Sequence, residues 1–351
     1  MGQAECWVVE DGVFRHSASF VRNFASLVAL HTHSCYSKEN LASLNCVFDL
    51  AYMRPFKGLL RQAFGLGGIP NVDYTQLCYH PPYRPDEIWR MEAENARRLG
   101  FERLLLAITD HDEIAGAVEL LRQHPDRANH IALGEELSIR FQGYVFHLGV
   151  SGLPADRVEE THASLRASAR RDDLDAVFEE LASLGCLVVL NHPLICWSSN
   201  GTGAPLALHL VSRYGWAIDA LELNAMRSHD ENQDVIELAH RVGKPLVGGG
   251  DSHLLLASGA LCASRATTYS DFVAEVKSGW SCPIVTGEYF SSQRWKLSLR
   301  VLSFITQYRR IAEFRGQPVR TMLDGRWVLL DPLGQAAGGV LTLFDRLGLL
   351  S

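Results

Sequence analysis

The chain has 351 residues, 47% of them hydrophobic, with a formal net charge of −7. That is enough apolar material for one large core, and too little positive charge for a protein that grips long duplex nucleic acid through many phosphate contacts. No apolar run approaches the roughly 18 residues a membrane span needs, and Glu5, Glu10 and Asp11 stand where a signal sequence would be basic and then apolar, so no membrane contact and a cytoplasmic location are expected.

Residues 1–24 suggest a hairpin around Asp11-Gly12 and carry no recognisable chemistry. The run from Ala25 to Ala29 then reads as a short buried strand leading into Leu30-His31-Thr32-His33. Alternate residues of a strand share a face, so His31 and His33 converge. Excluded from water, two imidazoles carry ring nitrogens that need partners, and a metal ion would satisfy both. Residues 41–85 read as an insertion, helical around Leu41, Leu44, Val47 and Phe48 and then broken by Gly65-Leu66-Gly67-Gly68 and several prolines. Next to a site-bearing strand end, such a segment suits a lid or flap.

Regular structure resumes at Asp86, a candidate helix N-cap, with Ile88, Trp89, Ala96 and Leu99 on the apolar face and Gly100 at the end. Further strand-like runs each deliver a ligand-type side chain at or near their ends. They lead to Asp110-His111-Asp112, Glu135-Glu136, His147, Asn191-His192, and Asp251 with His253. Asp173–Gly185 reads as an amphipathic helix facing inward through Val177, Phe178 and Leu181. Leu221-Glu222-Leu223-Asn224 reads as a strand, with Arg227 to grip phosphate oxygens and His229 to protonate a leaving group just beyond it. The run Gly248-Gly249-Gly250 signals close backbone approach, since no Lys-Ser or Lys-Thr follows to make a nucleotide loop. Residues 289–351 hold nine Lys or Arg against four Asp or Glu, with helical apolar faces at Leu297–Tyr308 and Val340–Leu347 that suit packing on the core or on another copy in a homo-oligomer.

Repeated delivery of His, Asp and Glu to the carboxyl ends of strands is the pattern of a metallohydrolase on an α/β barrel. The ordered motif set resembles the PHP (polymerase and histidinol phosphatase) superfamily. The resemblance implies a distorted (β/α)7 TIM-like barrel over residues 25–288, with the helical insertion after its first strand and a helical C-terminal extension over 289–351. It implies two or three divalent ions, manganese, zinc or iron. His31, His33, Glu136 and Asp251 would hold the first metal, and Glu136, His147 and His192 the second. His111 and His253 would hold the third. The family's further third-metal position falls on Lys38 or Glu39. Either Glu39 takes that role or the third site is weak or absent, and the Lys38 ammonium could stand in as a fixed positive charge facing phosphate. The implied reaction is hydrolysis of a small phosphomonoester or short nucleotide by attack of a metal-bridging hydroxide, with Asp251 and His253 in the catalytic set. Two alternatives stay open: hydrolysis of a carbonyl ester or amide, and a non-catalytic metal-stabilised binding module.

Overall fold

The computed structural model describes residues 6–10, 13–16, 23–40, 78–81, 83–194, 203–253, 257–292, 295–296, 320–323 and 326–329. The chain divides into two compact units. One comprises Met1–Tyr36, Arg84–Ser252 and Leu256–Ser291, and the other Ser37–Tyr83, His253–Leu255 and Ser292–Ser351.

The first unit is an α/β structure with two mixed sheets. Its seven-stranded sheet joins β1 (Cys6–Glu10), β2 (Val13–His16), β3 (Ser26–Ala29), β6 (Leu104–Ala107), β7 (Ile131–Ala132), β13 (Ala260–Ser264) and β14 (Pro283–Thr286) in the order β2-β1-β14-β13-β3-β6-β7. Its five-stranded sheet runs β12 (Leu246–Gly249), β11 (Ala220–Asn224), β10 (Leu187–Asn191), β9 (Tyr144–Ser151), β8 (Gly134–Phe141). The short Leu- and Val-rich runs of β3, β6 and β10 are buried at every position, as expected for strands covered on both faces.

The expected (β/α)7 barrel does not form. Neither sheet closes on itself. A closed parallel barrel needs a helical crossover between successive strands, and here β8 turns straight back into β9. The connection is the two-residue turn Gln142-Gly143, whose φ values of 51° and 82° are those of the hairpin turns that match strand twist. Antiparallel pairing also governs β13 with β3 and β14, and β1 with β14 and β2. The parallel rhythm is confined to β3-β6-β7 and β10-β11-β12.

Two isolated parallel bridges, Thr32 with Ser252 and His111 with Glu136, link segments just past the ends of β3 and β6 to the five-stranded sheet side. Close approach elsewhere depends on glycine. A Cβ on Gly248 would lie 2.2 Å from the carbonyl oxygen of Leu261 in β13, so no side chain fits there. Val28, Leu105, Val189, Val247, Cys262 and Phe272 belong to one buried cluster between the elements.

The helices are α1 (Pro85–Leu99), α2 (Ala115–Gln123), α3 (Val158–Arg170), α4 (Leu174–Leu184), α5 (Gly203–Tyr214), α6 (His229–Val242) and α7 (Tyr269–Lys277). Asp86 lies in the first turn of α1 and is not its cap; the Glu87 carboxylate accepts the Arg84 N–H at 2.9 Å, and Gly100 closes the helix in the left-handed region. In α4 the Asp173 side chain caps Ala176 N at 3.3 Å, and Val177, Phe178 and Leu181 face inward. No helix among the described residues is long and apolar enough to cross a membrane.

In the second unit, β4 (Glu39–Asn40) pairs antiparallel with β5 (Cys78–Tyr79), and β15 (Arg320–Leu323) pairs antiparallel with β16 (Arg326–Leu329). Within the C-terminal extension, expected to be helical, residues 320–323 and 326–329 instead pair as strands, and residues 295–296 are helical. The predicted faces at 297–308 and 340–347, the segment 41–77 and the turn at Asp11-Gly12 lie outside the described residues.

Candidate metal centre

Strand β3 ends at Ala29, and the extended backbone beyond it sets His31 and His33 on one side with their Nε2 atoms 3.0 Å apart. Opposite them, β8 places Glu136 inward, and alternation sends Glu135 the other way, to His162 Nδ1 at 3.0 Å. Glu136 is the hub. Its Oε2 lies 3.2 Å from His31 Nε2, 3.4 Å from His33 Nε2 and 3.1 Å from His111 Nδ1. Its Oε1 lies 3.3 Å from His147 Nδ1 and 3.1 Å from His192 Nε2. Asp251 Oδ1 stands 3.8 Å from His31 Nε2 and 3.6 Å from His33 Nε2.

Within the first unit, three groups of ligand-type atoms lie within 4.8 Å of one another: His31, His33 and Asp251; His31, Glu136 and His192; and His111, Glu136 and His147. The loops that deliver two of these residues are strained. His192 at φ 29° and Asp251 at φ 46° occupy the left-handed region, which costs a non-glycine residue of order 1 kcal/mol and persists where the surroundings enforce it.

The electrostatics follow from crowding charge in a dry place. Burial raises the cost of the Glu136 carboxylate, but His31, His111 and His147 outweigh it and hold the carboxyl well below its usual range. Burial also disfavours a charged His147; its rings His111 and His192 reinforce this against Glu136, so the imidazole titrates below its ordinary value and stays available as a neutral ligand. For His31, burial opposes the charge, yet Glu136, Glu222 and Asp251 together lift it well above 6.5.

The residues fit divalent cations. Glu136 Oε2 and His147 Nδ1 are buried without a hydrogen-bond partner among the described residues, although ring nitrogens or carboxylate oxygens lie just over 3 Å away. Unsatisfied buried polar atoms are costly, and nitrogen and oxygen donors aimed at a common space are what manganese, zinc or iron accept. The side chains of His111 and His147, 19% and 12% exposed, form the edge of the cluster open to solvent.

Asp110 and Asp112 support neighbouring loops. Asp110 accepts from Ser34 N at 2.5 Å and Ser34 Oγ at 2.6 Å, while Asp112 Oδ1 accepts from Ser138 N at 2.9 Å. Glu113 accepts from the N–H groups of Ile114 and Ala115 at the start of α2.

In the second unit, Glu39 is buried and meets His253 Nε2 at 2.9 Å while accepting from Ser37 Oγ at 2.5 Å. Lys38 between them in sequence is exposed. Arg227 lines a small pocket with His192, Asn224 and Glu231. His229 is the first residue of α6; its ring packs near Phe14, Tyr289 and Phe290, and its Nε2 is 3.4 Å from Gln233 Nε2. Those contacts place it among aromatic rings and not against the ligand cluster.

Three residues of the centre carry no role in the sequence reading. Glu222 accepts from His31 Nδ1 at 2.6 Å and from the His192 N–H at 2.7 Å. Asn191 Nδ2 donates to Glu136 Oε1 at 3.0 Å, and Asn224 Nδ2 donates to Glu222 at 2.9 Å and Asp251 at 3.3 Å. A carboxylate inside the apolar run Leu221–Leu223 was the available signal for Glu222.

No family model matches the chain, and no curated protein does. Among solved structures, the chain is similar to a protein from Bifidobacterium adolescentis assigned as a metal-dependent phosphoesterase, at 18% identity and TM-score 0.37, over 55% of this chain and 90% of that one. It is also similar to an amidohydrolase from Chromobacterium violaceum with bound sulfate and no metal, at 19% identity and TM-score 0.36, over 49% of this chain and 83% of that one.

Proposed function

We propose that this chain is a metal-dependent hydrolase of the PHP type that cleaves a small phosphomonoester or short nucleotide. The observation that carries the reading is the approach of five imidazoles, His31, His33, His111, His147 and His192, to within 3.4 Å of one fully buried carboxylate, Glu136. Packing alone gives no reason to bury so many titratable rings around one anion.

Divalent cations held there would supply electrophilic polarisation of phosphoryl oxygen and activation of water. The chain's own residues supply the rest. Glu136 would provide the negative charge needed to offset repulsion between two bound cations. His31, His33 and Asp251 form one ligand group, with His192 and His147 reaching Glu136 from the other oxygen. Arg227, beside His192, is suited to hold phosphate oxygens through paired N–H donors. The leaving-group role expected of His229 is not part of this reading, because its ring is engaged elsewhere.

The test is phosphate release by manganese-reconstituted protein from a panel of phosphomonoesters, phosphodiesters and dinucleotides, with Asp251→Asn as control. Release by the intact protein and its loss in the variant supports a phosphohydrolase. Silence across the panel with metals bound would sink the phosphoester assignment and direct the search to carbonyl substrates.

A further inference from the structure

We infer that Glu222 is the positioning residue of the centre: its carboxylate sets the tautomer of His31 and ties the His31, His192 and Asp251 loops into one unit. The inference rests on the metal-binding reading above for its consequence, and on hydrogen-bond geometry alone for its substance.

Glu222 is 1% exposed, in the middle of β11. Oε1 faces His31 Nδ1 at 2.6 Å. Oε2 accepts from the backbone N–H of His192 at 2.7 Å and from Asn224 Nδ2 at 2.9 Å. An ionised carboxylate only accepts, so His31 carries a proton on Nδ1, and in the neutral ring that a metal requires the Nε2 lone pair is directed at His33, Glu136 and Asp251. The same Asn224 amide extends the link to Asp251 Oδ2 at 3.3 Å. One carboxylate thus contacts two residues of the ligand set and reaches a third through one intermediary.

The space for it is provided by a neighbour on β12. A Cβ on Gly249 would fall 1.6 Å from Glu222 Oε1 and 2.5 Å from its Cδ. Only glycine leaves room for the carboxylate, which gives the middle residue of the three-glycine run a specific purpose.

Glu222→Gln separates this role from simple packing, because it is nearly isosteric. The amide cannot satisfy all three donors. The His192 N–H is fixed by the backbone and keeps the amide oxygen, so the amide NH2 is left to donate to His31 Nδ1. The neutral ring must then carry its proton on Nε2, where a metal would bind.

The experiment uses the full chain. Zinc and manganese affinities are measured by chelator competition for wild type and Glu222→Gln. Histidine ring nitrogens are assigned by 15N NMR in metal-free protein at a pH high enough to neutralise His31, with thermal melting as a check on folding. We expect an affinity loss of about 10–100-fold, a switch of the His31 proton from Nδ1 to Nε2, and similar melting of the two metal-free proteins. The tautomer switch alone, in a wild type that binds no metal, would support the role of Glu222 while overturning the metal-binding reading. An unchanged tautomer with unchanged affinity would overturn the role of Glu222. Should Glu222→Gln fail to fold, Asn224→Ser, which removes the link to Asp251 while leaving the Glu222–His31 contact, takes its place. Wild-type zinc affinity with Asn224→Ser and an unprotonated His31 Nδ1 in metal-free wild type would then overturn the inference.

Discussion

Gly249 on β12 and Glu222 on β11 lie diagonally across neighbouring strands, so close that a Cβ on the first would meet the carboxylate of the second. The glycine is therefore as much a part of the candidate metal centre as the clustered histidines are, although it donates nothing.

Gly249→Ala should force the Glu222 carboxylate away from His31 and cost about 1–3 kcal/mol of stability through overpacking. Metal-free melting should fall by several degrees, and zinc affinity should drop along with it. Unchanged melting and unchanged affinity would mean that the carboxylate can move aside without consequence.

Arg227→Ala should weaken substrate binding without removing metal. Loss of hydrogen bonds to a charged phosphate is worth about 1.5–3 kcal/mol, or roughly 10–100-fold in KM. Metal content should match the wild type. A variant with normal KM would remove Arg227 from the substrate site.

Glu92, buried in α1, accepts from Ser258 N at 2.7 Å and Ser258 Oγ at 2.8 Å. Burial pushes its carboxyl up, and the bonds from Ser258 and Asn95 only partly offset this. A carboxyl whose folded pKa exceeds its unfolded value binds more protons in the folded state, so folding stability falls as pH rises from the unfolded pKa through the folded one. Glu92→Gln lacks that titration. Its stability relative to wild type, read from urea midpoints at pH 4 and pH 8, should therefore increase toward pH 8; a constant difference would contradict the argument.

Cys186, Cys262 and Cys282 are buried thiols pushed up to about 12 by desolvation. At pH 8 they should resist a disulfide reagent in the native protein and react once urea unfolds it, because the thiolate is the attacking species. Mass spectrometry of labelled peptides checks each position. Labelling of any of the three in folded protein would show that the structure around it opens readily.

The clustering of His31, His33 and Glu136 was readable in sequence because the rule that governs it is local. Strand alternation pairs His31 with His33 and separates Glu136 from Glu135, and both relations hold in the structure. The sheet topology was misread for an identifiable reason. The apolar runs flanking Gln142-Gly143 are a two-residue hairpin signal, and a hairpin at that point excludes the crossover that a barrel requires. Glu222 was out of reach of any local rule. A glutamate in a buried strand acquires meaning only when a glycine lies diagonally across the sheet from it and a histidine comes within hydrogen-bond reach. His229 was misleading in a similar way: proximity to a strand end does not say which way a helix start turns its ring, and here it turns toward Phe14.

The central claim is that the buried cluster around Glu136 holds divalent metal, and counting metal answers it most directly. Purified full-length protein, and Glu136→Gln alongside it, would be loaded with manganese or zinc, desalted and measured by elemental analysis. The account predicts about two ions per wild-type chain, from two cations sharing one carboxylate, and a loss of most of that metal in a folded Glu136→Gln variant. A folded wild-type protein that retains no metal, or a Glu136→Gln variant that retains all of it, would contradict the account.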